Sequence, residues 1–404
     1  MARGGARAAD EKNVLLFPDT KLSFRFASVW DVGDLSGFLP HRYGREAAMD
    51  ELCIGYHSGV ALWREARRAV DRQTRCDTLI DLLFDEGALV DRSALPVPTS
   101  LIRAPERVNG GVLGRVLDSE RLLLDGPVDC LVSRQAGRAH VPGAVRHLCG
   151  GAYPAGSFCR TAEGALVACA PLCIVQVAPA LGDVAVIELL SEFMGYFVPD
   201  AASPTGLRHA PPAFTAAEFR AWFSELARVR DAAGQRLPRG ARRVRSLLEL
   251  AVQRAASPGE ARVALVLSLP TKMGGYGLPV PRLNAAIWLP AAATRAYGVD
   301  RFVCDLIWDD GTIVEYKGEA VHKQPSRRAT DARKENILNH VGNRVIVVEK
   351  YQLASKAMTD EVALMVSERL GVPVDLEDPD FRCRQPLLRR DLLSSWVTCE
   401  RPAA

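Results

Sequence analysis

No stretch of this 404-residue chain approaches about 18 uninterrupted apolar residues, so no membrane-spanning helix and no membrane partner is expected. No Cys-x-x-Cys pair occurs among the ten cysteines. The closest two, Cys169 and Cys173, have no histidine pair near them at zinc-finger spacing, so a structural zinc site is not expected. No apolar segment of the secretory type follows the basic start Met1-Ala2-Arg3-Gly4-Gly5-Ala6-Arg7, and a disulfide framework is not expected in so long a chain without one. The cysteines sit in apolar runs such as Val128–Val132 and read as small core residues. These absences point to a cytoplasmic, reduced protein. Strong net charge is missing too: 51 Lys and Arg against 48 Asp and Glu leave +3. Any surface that binds a polyanion must therefore be local. No repeat of solenoid period is present.

What is there is ordinary for a globular chain: 48% hydrophobic and 25% charged residues, at a length suited to about two or three domains. Residues 45–95 read as helical, with Leu62, Trp63, Ala66, Ala69 and Val70 at helical spacing. Leu62 and Trp63 read as core. Short apolar runs follow at Val128–Val132, Leu166–Cys169 and Leu172–Val177, separated by Gly, Pro and Ser, a pattern of short strands and turns. Leu181–Phe197 reads as helix and 199–212, with four prolines, as a linker. Thr215 with Glu218 is a capping box for a helix over Phe214–Val229. Arg236–Arg245 is a basic stretch with two readings, a phosphate contact or an exposed helix start. Ser257-Pro258-Gly259-Glu260 opens a helix to about Ser268.

The last third reads strand (Arg301–Trp308), turn (Asp309-Asp310-Gly311), strand (Thr312–Tyr316), helix (Ala329–His340), strand (Arg344–Val348) and helix (Met358–Leu370). With the helix before it, this is a mixed α/β core. Period two puts Glu315 and Lys317 on one sheet face, and the turn brings Asp305 beside Glu315. Neighbouring carboxylates repel, and a divalent cation resolves that cost; oxygen ligands of this type suit Mg²⁺ or Mn²⁺. Such an ion polarises a phosphoryl oxygen and lowers the pKa of a bound water. Lys317 would orient or deprotonate that water, or stabilise the charge developing on the phosphate. The Tyr316 carbonyl and Glu260 are further ligand candidates. An edge strand with a solvent-facing Glu–Lys pair is the bland alternative.

The Asp305, Glu315-Tyr316-Lys317 arrangement resembles the PD-(D/E)XK nuclease superfamily. Its surroundings are more specific: Ser257–Glu260 before an apolar helix, then Glu315–His322, then Asp331-Ala332-Arg333-Lys334, with Leu338, Gly342 and Val345 after it. This string is similar to Vsr-like endonuclease domains over about residues 250–372. The resemblance implies a restriction-endonuclease-like core, metal binding at Asp305 and Glu315, and support from His322, Asp331 and Lys334. Cys304 stands where the family motif has proline, a departure that touches backbone shape more than chemistry. Lys323, Arg327, Arg328, Arg333, Lys334 and Arg344 form a basic cluster suited to a phosphodiester, with a solvated helix face as the alternative.

Tyr56–Trp63 is similar to a helix of abortive-infection antitoxins of type IV toxin–antitoxin systems, and 127–178 is similar in layout to their second domain. No helix-turn-helix is legible, so DNA binding through one is not carried over. The expected divisions are a mainly helical region 1–110, a strand-rich domain 111–200, a linker and helix 201–249, the nuclease-like domain 250–375 and a tail 376–404. The leading expectation is a Mg²⁺-dependent DNA endonuclease. The alternative is a catalytically silent, antitoxin-like DNA-binding regulator with a toxin partner.

Overall fold

Among the described residues before about 200, short strands are interspersed with helices. The computed structural model describes residues 51–70, 95–119, 126–138, 140–161, 164–318 and 325–394, all within one unit spanning Pro40–Ala404. The expected helical reading of 71–94 lies outside the described residues. Among the described residues no helix is long and apolar enough to cross a membrane.

In chain order the first elements are β1 (Cys53–Ile54), α1 (Tyr56–Ala69), β2 (Val97–Pro98), α2 (Gly110–Leu117), β3 (Val128–Val132), β4 (Ala144–Leu148), β5 (Phe158–Arg160) and β6 (Leu166–Ala168). They build a mixed six-stranded sheet in the order β2-β5-β6-β1-β3-β4. β1 lies between β6 and β3, with Ile54 opposite both Val167 and Cys130. The boundary expected at residue 110 therefore falls inside one sheet: the segments on both sides of it share backbone hydrogen bonds.

α3 (Ala170–Val177) packs against α1, and α4 (Asp183–Phe193) follows it. The run Leu172–Val177, expected as a strand, is thus a helix. Every residue from Ala170 to Ile174 is buried and Pro171 occupies the first turn. A short segment buried all round has no amphipathic period, so its pattern cannot separate helix from strand. The proposed linker contains a hairpin of β7 (Phe197–Pro199) and β8 (Leu207–His209). α5 (Ala216–Ala232) opens with the expected capping box, and α6 (Ala241–Leu247) follows.

α7 (Pro258–Ser268) is capped by Ser257 and lies between α4 and a second sheet. That sheet uses β9 (Arg282–Trp288), then, after α8 (Ala291–Tyr297), β10 (Arg301–Ile307) and β11 (Thr312–Lys317). After α9 (Pro325–His340) it is completed by β12 (Arg344–Glu349), in the order β12-β11-β10-β9. β9, β10 and β11 are antiparallel, and β12 runs parallel to β11. The molecule is thus mixed α/β with two mixed sheets. β9 and α8 add to the expected order of elements. α9 buries Leu338 against Cys304, Ile307 and Ile313, each such apolar side chain contributing about 1.5–3 kcal/mol.

α10 (Lys350–Ala354), α11 (Lys356–Leu370) and α12 (Pro379–Leu393) close the chain. The expected tail from 376 is α12, which packs on α4 and α7 through buried Phe381, Leu388 and Leu392. Its charged residues outnumber these apolar anchors in the sequence, which hides it from a hydrophobicity reading.

Candidate active site

The turn Asp309-Asp310-Gly311 sets the register of the two central strands. Gly311 takes a φ of 83°, and Asp310 accepts hydrogen bonds from the Thr312 N–H (3.0 Å) and hydroxyl (2.7 Å). Leu306 then pairs with Val314 and Ile307 with Ile313. Continued by one step, this register sets Asp305 opposite Glu315. The ladder is modified there: Asp305 Oδ2 accepts the Tyr316 N–H at 2.8 Å.

Glu315 and Lys317 both reach α9. Lys334 Nζ donates to Glu315 Oε2 at 2.7 Å, and Lys317 Nζ donates to Glu335 Oε1 at 2.6 Å. Two adjacent residues of one helix thereby clamp two alternating residues of one strand. Glu315 Oε1 is buried and has no hydrogen bond of acceptable geometry. Its neighbour is the buried Cys304 thiol, a weak donor whose pKa burial pushes up to about 12.

Glu260 stands on the first turn of α7, buried beside this pair. Its carboxylate accepts from the Ser257 hydroxyl (2.8 Å), the Ala256 N–H (2.8 Å) and the Asn284 amide (2.7 Å). Asn284 adopts a left-handed φ of 47° on β9. It is held there by two hydrogen bonds exchanged with Arg254: its amide donates to the Arg254 carbonyl, and its own carbonyl accepts from the Arg254 guanidinium. α7 can approach β11 this closely because residue 259 is glycine. A Cβ there would fall 2.0 Å from the Tyr316 ring.

Electrostatics ties the three acids together. Burial first, then the charges of Glu315 and Glu260, push the Asp305 carboxyl well above the usual carboxylate range. Burial also raises Glu260, its hydrogen bonds oppose that, and the Glu315 charge adds to it. Burial works against the Lys334 charge, but Glu315, Cys304 and Asp305 outweigh it and its pKa rises. The net result is a cluster of three acids faced by one buried ammonium group.

The sequence-derived residues fare differently. Asp305, Glu315 and Lys317 come together with Lys334. Glu260 joins them electrostatically, but both its oxygens are engaged in capping α7 and holding Asn284. Arg333 donates to the Tyr297 carbonyl at 2.5 Å and so ties α9 to α8. His322 and Lys323, and the side chains of Arg327 and Arg328, lie outside the described residues. Glu335 and Asn284 were not singled out by the sequence. Nothing local links Lys317 to a glutamate 18 positions on. Among the described residues, no group of three or more His, Cys, Asp or Glu side chains is arranged to hold a metal ion. Comparison of the chain with protein-family models, curated proteins and solved structures gives no match.

Proposed function

We propose that residues 250–372 form a metal-dependent endonuclease domain of the PD-(D/E)XK type, similar to Vsr-like domains, that hydrolyses phosphodiester bonds of DNA. The observation that carries this reading is Asp305 meeting Glu315 across adjacent strands, with Lys317 and Lys334 beside them. The donor set suits a hard divalent ion in part. Glu315 Oε1 is a buried acceptor without a partner, and Asp305 keeps one oxygen that accepts no hydrogen bond among the described residues. Glu260 offers less, because Oε2 already accepts two hydrogen bonds and Oε1 one.

Asp305 and Glu315 would hold Mg²⁺ or Mn²⁺, which when bound polarises a phosphoryl oxygen and lowers the pKa of a coordinated water. The chain's own groups would do the remaining work. Lys317 would exchange Glu335 for the scissile phosphate or the attacking water, and Lys334 would move from Glu315 to a phosphate oxygen. The test is nicking of supercoiled plasmid in Mg²⁺, Mn²⁺ or EDTA. Cutting is expected to vanish in EDTA and to fall at least about 100-fold in Asp305→Asn and Lys317→Ala. Unchanged cutting by Asp305→Asn would remove these residues from the reaction.

One observation favours a second reading. The Lys334 ammonium already neutralises Glu315. A nuclease fold so closed by a lysine would bind DNA without cutting it, as an antitoxin-like regulator, and a toxin partner belongs to that reading. Retardation of DNA without cleavage in any metal would select it.

A further inference from the structure

Outside the acidic cluster, Arg230 near the end of α5 is 6% exposed and its guanidinium lies 4.3 Å over the Tyr153 ring. Its Nε and one terminal nitrogen are buried with no hydrogen-bond partner. A buried, half-satisfied guanidinium is costly, since desolvated donors lose water without replacement. The surrounding chain is shaped to keep it there. Gly151, at a φ of 93°, passes so close that a Cβ would stand 2.4 Å from an Arg230 nitrogen, and Gln235 braces the same loop by accepting the Ala152 N–H at 2.9 Å.

Arg230 lines two cavities, of ≈ 830 and ≈ 550 Å³, which also share Arg236, Leu237 and Pro238 and so adjoin along this segment as the two halves of a candidate groove. Arg239 and Arg242 extend its rim. Arg228 and Arg243 line it too, but Glu225 and Asp183 neutralise them. The side chains of Arg236, Arg239 and Arg242 have no ionic or hydrogen-bonding partner among the described residues, and Asp231 is the one acid in the lining. Between the cations stand Leu237 and Pro238, and Tyr56, with one face of its ring stacked on His147 at 3.8 Å, lines the second cavity.

We propose that this groove binds a single strand of nucleic acid, with Arg230 taking a backbone phosphate at its floor and Arg236, Arg239 and Arg242 taking phosphates along its rim. The unpartnered Nε edge of Arg230 is closed to solvent in this structure, and turned toward the groove it would match the two oxygens of a phosphodiester. A strand supplies one negative charge per nucleotide, which suits several unpaired cations spread along a groove rather than converging on one point. Apolar and aromatic surface interleaved with arginine suits base faces, which an acidic peptide does not offer. This assignment is independent of the acidic site.

The test is fluorescence anisotropy of a labelled oligothymidylate of about 12 nucleotides, in EDTA so that no cleavage intervenes. Arg236→Ser/Arg239→Ser/Arg242→Ser is expected to weaken binding at least about tenfold and to lower the salt slope by about two, following the single-strand relation of ~0.7 per phosphate contact. Arg230→Lys, which keeps the charge and loses the fork, is expected to weaken it about fivefold while the protein stays folded at the assay temperature. Arg382→Ser, an exposed control on α12, is expected to bind as the parent does. Equal loss in Arg382→Ser, no loss in the triple variant, or displacement of the strand by polyglutamate at equal charge would overturn the proposal. Displacement by a mononucleotide as readily as by unlabelled strand would also overturn it, leaving a single-phosphate pocket.

Discussion

Arg67 on α1 and Glu315 on β11 are both charged groups removed from water, and their surroundings treat them in opposite ways. Arg67 is fully buried, and its guanidinium donates to the carbonyls of Pro211, Glu192, Gly195 and Phe197 at 2.9–3.2 Å. Burial lowers its pKa to about 10, partly offset by Glu192, so it stays charged at neutral pH. Next to it Arg64 grips Glu192 through two hydrogen bonds of 2.8 and 2.6 Å. Around α1, then, buried charge is saturated and fastens the helix to α4 and the β7 hairpin. Around β10 and β11 buried charge is left with an orphan oxygen and an excess of acid. Saturated charge specifies a fold; unsaturated charge at a sheet opening is where a ligand has something to complete.

That contrast can be broken at several points. The largest effect is expected from Arg67→Met, which strands four carbonyls that now share one buried cation. A loss of about 3–5 kcal/mol is expected in urea unfolding. Gly259→Ala should force α7 away from Tyr316, at a cost of about 2–3 kcal/mol, because a ring rather than a flexible chain end meets the new methyl. Its effect on any metal-dependent cutting should exceed its effect on stability.

Glu188 sharpens the comparison, because it is the exception on the saturated side. It is 1% exposed, and its nearest cation, Arg262, stands 3.9 Å away. Burial, only partly countered by Arg262, pushes its pKa up to about 8. A carboxyl whose folded value is raised contributes stability at low pH that is lost as pH climbs from about 4.5 to about 8. Glu188→Gln is therefore expected to flatten this decline and to gain about 1–2 kcal/mol near pH 9, read from melting curves across pH. The smallest effect is expected for Thr215→Ala, which removes the cap of α5 at about 1 kcal/mol.

Much of the second sheet was legible because its signals are local. The Asp-Asp-Gly turn, the Ser-Pro-Gly-Glu start of α7 and the alternation of Thr312–Lys317 each need only a few neighbouring residues. The capping box at Thr215 was legible for the same reason. β9 escaped because Asn284 carries a left-handed backbone inside a strand, a conformation that only tertiary hydrogen bonds to Arg254 and Glu260 sustain. α3 escaped because burial on all sides erases periodicity. In the acidic cluster, the acids and Lys317 were legible by spacing, whereas the cross-links from α9 were not. Lys334 reaching Glu315 and Glu335 reaching Lys317 depend on how α9 lies across the strand. The full engagement of Glu260 depends likewise on where β9 sits.

The central claim is that Asp305 and Glu315 together hold a divalent ion, and calorimetric titration of Mn²⁺ into the full chain tests it directly. One ion per chain is predicted, with affinity falling at least about tenfold in Asp305→Asn and in Glu315→Gln. Heat of binding that is absent in the parent, or unchanged in both variants, would contradict the account and leave Glu315 with Lys334 as its counter-ion.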